Sequence, residues 1–287
     1  LGFWKLQLGI YNTSSQDTTK WTSRNARKIG EPPEMYSEEL TERSMQQLEH
    51  AMDNKGYFQA EIDTTKVVKE KKLDLTYHVT ANDPYHIRNY TISFPNTDLQ
   101  QIAASERFRL LREGMRFDVD LMNQERQRIA SAMRRNGCYY FDKELIRFVA
   151  DTTWGKRQVD LTICLQDYFS QLPEEEKKAI FRHYKVANVY FHVDYEVDRI
   201  PEDEQLFSSV VDGYHFTWIG DKLLREKVLI RNCPICPGEE YNEAFVELAY
   251  SNLNSLSPVK YVDISFDPIS EDQLDCHIVL SRSKMNS

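Results

Sequence analysis

The sequence lacks any apolar run long enough to cross a bilayer as a helix. Its opening stretch LGFWKLQLGIY is short and interrupted, against the ~20 residues a span requires. Mean hydropathy is −0.60. The chain begins at Leu1 rather than Met, so it reads as a processed or excised product, and the absence of a signal peptide carries no information. It also lacks a basic excess. Thirty-six Lys and Arg stand against 45 Asp and Glu, for a net charge of −9. That balance argues against a nucleic-acid surface, which needs clustered cations. Arg126, Arg128, Arg134 and Arg135 fall on one predicted helix and read as a solvated face balanced by acids.

The motifs of catalysis are missing too. No GxSxG, P-loop or GxGxxG occurs, and the seven His residues are scattered singly. Acid pairs such as Glu38 and Glu39 sit in the first turn of a predicted helix, where the macrodipole accounts for them. The reading is therefore of a protein that is not an enzyme, with no catalytic residues, metal ligands or cofactor.

Cysteine is sparse. The five residues Cys138, Cys164, Cys233, Cys236 and Cys276 leave at least one unpaired, against a complete disulfide framework. Cys233-Pro-Ile-Cys236 has the spacing of a redox pair or half a zinc site. It follows a predicted helix, Lys222 to Arg231, instead of opening one, and zinc would need two further ligands. Cys276 falls where Leu75 falls in the repeat below and reads as a small core hydrophobe.

What the chain does have is internal repetition. MDNKGYFQAEI at Met52 to Ile62 is echoed by MRRNGCYYFDKEL at Met133 to Leu145. At an offset of 81 (137 minus 56), Tyr36 pairs with Phe117, Leu40 with Leu121, Leu48 with Ile129, Met52 with Met133 and Gly56 with Gly137. LDLTYHV at Leu73 to Val79 matches VDLTICL at Val159 to Leu165 at an offset of 86, so the connection has grown by five residues. A third copy follows in pattern: Gly114 and Phe117 match Gly238 and Tyr241, Leu121 matches Phe245, Ile129 matches Leu253, and LDCHIVL at Leu274 to Leu280 supplies the closing strand. An opening strand repeats as YHIRNYTISF at Tyr85 to Phe94 and YKVANVYFHV at Tyr184 to Val193.

Each unit reads strand, helix, helix, strand, strand, an α+β fold in which a three-stranded mixed sheet packs on two helices. Predicted caps are Ser37, Asp98, Asp118, Asp221 and Asn242, with Gly56 and Gly137 as left-handed stops. In the second long helix Leu121, Ile129 and Met133 share a face. Hairpins are predicted over about Tyr57 to Val79, Phe141 to Leu165 and Val259 to Leu280. The units are bounded at 1–82, 83–168 and 184–287, with a connector helix over 169–183 around PEEEKK. The 23 residues from Glu196 to Trp218 read as an atypically long connection.

Tandem units of this order, with a helix ending in Asn-Lys-Gly-Tyr-Phe and passing into a hairpin, resemble POTRA domains of the BamA/TamA superfamily of outer-membrane protein assembly factors. The stretch LGIYNTSSQDTTKWTSRNARKIGEPPEMY is similar, more narrowly, to the first POTRA region of Bacteroidetes-type members, with Asp17 to Arg27 helical and Trp4 and Trp21 packed on the first unit. The first unit shows no opening strand, so part of it is expected upstream of Leu1, and a transmembrane β-barrel is expected after Ser287. The resemblance implies a periplasmic arm, held to the outer membrane by a barrel outside this chain. It would scaffold and bind unfolded outer-membrane proteins or accessory subunits by strand addition, without nucleic acid. The strand after the second helix is the implied docking rim: Phe58, Ala60 and Ile62 in the first unit, Tyr140, Asp142 and Glu144 in the second, Val262 and Ile264 in the third. The alternatives are a structural spacer that binds no client, and a thiol-redox or metal module at Cys233 and Cys236.

Overall fold

The computed structural model describes residues 35–70, 72–95, 97–105, 109–193 and 205–282. Trp4, Trp21, the predicted helix Asp17 to Arg27 and any opening strand of the first unit lie outside them. The chain divides into two compact units, Leu1–Asp83 and Pro84–Ser287.

In the first compact unit, helix α1 (Glu38–Asn54) begins at Ser37, whose hydroxyl accepts from Leu40 N at 3.3 Å. It stops because Gly56 takes φ +84° and Tyr57 N reaches back to Met52 O at 2.9 Å, a Schellman closure. Strands β1 (Glu61–Lys69) and β2 (Lys72–Thr80) then pair antiparallel from Glu61↔Thr80 to Lys69↔Lys72.

The second compact unit holds the second and third repeats. The second repeat runs β3 (His86–Ser93), α2 (Thr97–Ala103), α3 (Val119–Arg135), β4 (Ile146–Asp151) and β5 (Gln158–Leu165). Asp118 caps α3, accepting from Asp120 N at 2.9 Å and Leu121 N at 3.3 Å. The predicted cap Asp98 lies inside α2, which already starts at Thr97. The sheet order is β3-β5-β4, with β5 parallel to β3 and antiparallel to β4. Val159, Leu161 and Ile163 alternate inward along β5, as a strand buried on one face must. They meet Met122, Ile129 and Met133 of α3, while Leu121 is half-buried at the rim of that stripe.

One member of the α3 stripe is a carboxylate. Glu125 is 0% exposed and accepts from Tyr90 Oη at 2.9 Å, Leu110 N at 3.0 Å and both Nε and Nη2 of Arg128 at 2.8 Å. Arg128 also donates to Ala103 O at 2.7 Å. The network ties α2, the loop after it, β3 and α3 together, and every oxygen of the buried charge is satisfied.

Helix α4 (Glu174–Phe181) lies within the predicted connector. The third repeat runs β6 (Lys185–Val193), β7 (Leu206–Val211), β8 (Tyr214–Ile219), α5 (Glu226–Arg231), α6 (Glu243–Asn254), β9 (Val259–Pro268) and β10 (Gln273–Arg282). Its core joins Val189, Phe191, Phe216, Leu229, Leu253, Ile278 and Cys276. The predicted cap Asp221 is not one: α5 starts at Glu226 after Arg225, and Lys222 instead bridges to Glu226 at 2.5 Å. The expected long connection from Glu196 to Trp218 is corrected over residues 206–218, while 196–204 lie outside the described residues. Residues 206–219 form a hairpin with a two-residue Asp212-Gly213 loop at φ +52° and +83°, the type I′ geometry that Asp-Gly favours. It adds β8 parallel to β6, so the sheet has five strands in the order β7-β8-β6-β10-β9.

Two details repeat where identity is low. The opening strand bulges at Arg88 in β3 and Ala187 in β6, each followed by an Asn in register with an Asp: Asn89↔Asp160 and Asn188↔Asp275. The loop before the longer helix also closes on the start of that strand, through Gly114 N to Ile87 O at 2.7 Å and Gly238 N to Val186 O at 2.6 Å.

The second repeat joins the third at the end of α3. Gly137 has φ +91°, its carbonyl accepts from Tyr184 N at 3.0 Å, and an added Cβ would stand 2.7 Å from Glu240 Oε1. Gly114, at φ +81°, has no such neighbour. Replacing either by Ala should cost about 1–2 kcal/mol of backbone strain. Gly137→Ala should lose more in urea unfolding, because Glu240 must leave His183, 2.7 Å away; equal losses would mean that the close approach contributes nothing.

Candidate functional site

The strands at the rims decide what the sheets can offer. In both mixed sheets the strand after the longer helix, β4 or β9, is paired on one side only among the described residues. Such a rim exposes unpaired backbone donors and acceptors, a template for another strand. β4 spans six residues and β9 ten, and each carries charge: Arg147 and Asp151 in β4, Lys260, Asp263 and Asp267 in β9. Along β9 Val262 is buried and Ile264 half-buried toward the helices, whereas Tyr261 and Asp263 are exposed on the other face. The predicted residues Val262 and Ile264 are therefore on a rim strand, as is Ile62 in β1 of the first unit.

The other five predicted rim residues are not. Phe58 and Ala60 lie in the turn that precedes β1. Asp142 accepts from Glu144 N at 2.8 Å and caps a single 3-10 turn, Lys143–Leu145, so β4 starts only at Ile146. Glu144 is in that turn, bridged to Arg126 at 3.1 Å. The physical reason is local: Asp-x-x after an aromatic pair offers the backbone a side-chain cap that competes with strand pairing.

Tyr140 is drawn elsewhere. Its ring packs on Tyr184 at 5.3 Å and on Tyr139 at 4.8 Å, and Tyr139 continues to Tyr241 at 5.0 Å and Phe266 at 5.8 Å. These edge-on aromatics fill the joint between the second and third repeats. Around them Glu243, in the first turn of α6, accepts from Arg134 Nε and Ser131 Oγ, both at 2.6 Å. Arg134 also donates to Phe141 O at 2.8 Å. Two of the four arginines read as a solvated face, Arg128 and Arg134, are thus structural: one satisfies Glu125 and the other fastens the joint.

The thiols are all free. Cys233 is 4% exposed, and burial pushes its thiol up to about 12, opposite to what a reactive pair requires. Cys236 is exposed. Cys276 lies in the core, where burial raises its thiol as well. Among the described residues no group of three or more His, Cys, Asp and Glu side chains is placed to hold a metal, and none of their helices is long and apolar enough to cross a membrane.

Residues 19–82 match the POTRA family model, described as surface antigen variable number repeat. No curated protein matches the chain. Among solved structures, it is similar to the POTRA3-5 region of BamA from Haemophilus influenzae, at 15% identity and a TM-score of 0.44, covering 88% of this chain and 84% of that one. It is similar also to BamA from Haemophilus ducreyi lacking POTRA domains 1-3, at 13% identity and 0.46, covering 69% of this chain and 30% of that one. A third similarity is to POTRA1-3 of the periplasmic domain of Omp85 from Anabaena, at 13% identity and 0.30, covering 89% of this chain and 85% of that one.

A buried histidine, His192, lies on β6, which β10 separates from the β9 rim. On the helix-free face of the third sheet, His192 Nε2 meets His277 Nδ1 at 3.0 Å, His192 Nδ1 meets Thr217 Oγ1 at 3.0 Å, and His277 Nε2 lies 3.5 Å from Asp267. Tyr190 stacks between His277 and His215 at 4.9 Å from each. Burial, and then His277, push His192 down to about 4. From about pH 6.5 downward the unfolded chain therefore takes up a proton that the folded chain refuses until about pH 4. Stability should fall across that window by at most about 3 kcal/mol and level off below it. His192→Gln should flatten this part of a chemical-denaturation pH series; an unchanged slope would place the proton uptake elsewhere.

Proposed function

We propose, from the match of residues 19–82 to the POTRA family model, that this chain is a polypeptide-binding and scaffolding arm of an outer-membrane β-barrel assembly or translocation factor, working in the periplasm. The observation that carries the reading is the rim position of β9, ten residues long and paired only with β10 among the described residues. Strand addition there uses backbone groups, so it tolerates many sequences and suits a receptor for many clients. Val262 and Ile264 would seat the added strand from the helix side, β4 would do the same in the second repeat, and Ile62 marks the corresponding strand of the first unit. The partners are unfolded outer-membrane proteins or accessory assembly subunits.

The joint favours the scaffolding half of the proposal. A buried tyrosine cluster and the Arg134–Glu243–Ser131 contacts hold two rims in a fixed relation. A spacer that binds no client would have the same joint but indifferent rims.

The test is capture of an unfolded outer-membrane barrel segment by the intact chain and by Ile264→Pro and Ala150→Pro. The bonds Ile269 N to Gln273 O and Gln166 N to Leu145 O turn the odd-numbered positions of β9 and β4 toward β10 and β5, so each of these substitutions removes an N–H from the open side. Loss of at least about tenfold in affinity, equivalent to about 1.4 kcal/mol, with the circular dichroism spectrum retained, is the expected result. Folded proline variants that capture the segment as well as the parent chain would leave the spacer reading standing.

A further inference from the structure

Among the described residues the inserted hairpin puts a second rim on the third sheet, and its chemistry differs from every other. β7 reads LFSSVV, with no charged residue and no proline. The other rim strands among the described residues all carry charge: Glu61, Asp63, Lys66 and Lys69 in β1, Lys72 and Asp74 in β2, Arg88 in β3, Arg147 and Asp151 in β4, and Lys260, Asp263 and Asp267 in β9. Charge or proline on a rim is how folded chains discourage self-pairing. β7 has neither.

Its side chains divide cleanly. Phe207 stacks on Trp218 at 5.8 Å and Ser209 donates to Glu226 of α5 at 3.0 Å, so both lie on the helix side. Leu206, Ser208 and Val210 occupy the helix-free face, where Leu206 is 40% and Val210 64% exposed. The geometry points to a second copy of this chain as the occupant: β7 pairs antiparallel with the partner's β7 about a two-fold axis through Ser208. That axis keeps the helices of both copies on one side, because opposed residues of a sheet share a face. Leu206 then covers the partner's Val210, Phe207 faces the partner's Ser209, and Ser208 meets the partner's Ser208. No like charges are opposed within the strand, and each exposed apolar side chain has an apolar mate. The two five-stranded sheets become one of ten strands.

A seam of six residues a side is small against the ~1,200 Å² at which stable interfaces begin. The dimer is therefore weak and forms at high local concentration. The inference does not depend on client binding, since β7 and β9 are opposite rims of the sheet.

Sedimentation equilibrium of the intact chain from micromolar to near-millimolar concentration should give a mass rising from 33.8 kDa toward twice that value. Ser208→Lys, which opposes two ammonium groups on the axis at a solvent-facing position, should stay monomeric with an unchanged melting curve. Ser208→Cys should yield a covalent dimer under a disulfide oxidant, above the background from native Cys236 measured on the parent chain. A parent chain monomeric throughout, a Ser208→Lys variant that associates as the parent does, or Ser208→Cys cross-linking no better than that background would each overturn the proposal.

Discussion

The parallel pairing of the first strand of a repeat with its last is the constraint from which the rest follows. β5 and β10 are made last yet lie beside β3 and β6, which are made first. Both helices must therefore cross over one face before the sheet can close, and the strand between the longer helix and the closing strand is left at the rim. The same constraint explains the shared irregularity. A parallel neighbour starting at a bulge needs its unpaired residue stabilised, and each repeat supplies polar contacts there. Arg88 donates to Asp160 through Nε at 2.8 Å and lies 3.8 Å over the Trp154 ring; Asn188 donates to Asp275 at 2.8 Å.

Rims come in two kinds as a result. The start of the opening strand is closed in both repeats by the loop that carries Gly114 or Gly238, and in the third repeat β8 covers much of what remains. Among the described residues the opposite rim receives no strand from its own repeat. This asymmetry, more than any single side chain, is what makes β4 and β9 candidates for docking.

Much of this order is legible in the sequence because helix ends and strand alternation are local. Ser37, Asp118 and Asn242 cap the helices as their chemistry dictates, and Gly137 stops α3 in the left-handed region. Cys276 sits in the core at the position its repeat assigns. What misled were places where a local rule had a competitor. Asp142 took the backbone of the expected rim into a 3-10 turn, and the joint took Tyr140. Asp212-Gly213 is a hairpin signal inside a segment too long to be read as a turn. Glu125 could not be foreseen: a Glu in a helix reads as solvent-facing, and only the meeting of Tyr90, Leu110 and Arg128 around it makes burial tolerable.

The central claim is that the backbone of the rim left by the parallel closure is open and usable. Hydrogen exchange of the intact chain, resolved along β9 and β4 with and without an unfolded barrel segment, tests it most directly. The account predicts that a subset of amides in these strands exchanges fast in the free chain and slows when the segment is added, while β5 and β10 stay protected throughout. Rim amides already as protected as those of β10, or unmoved by the segment, would contradict it.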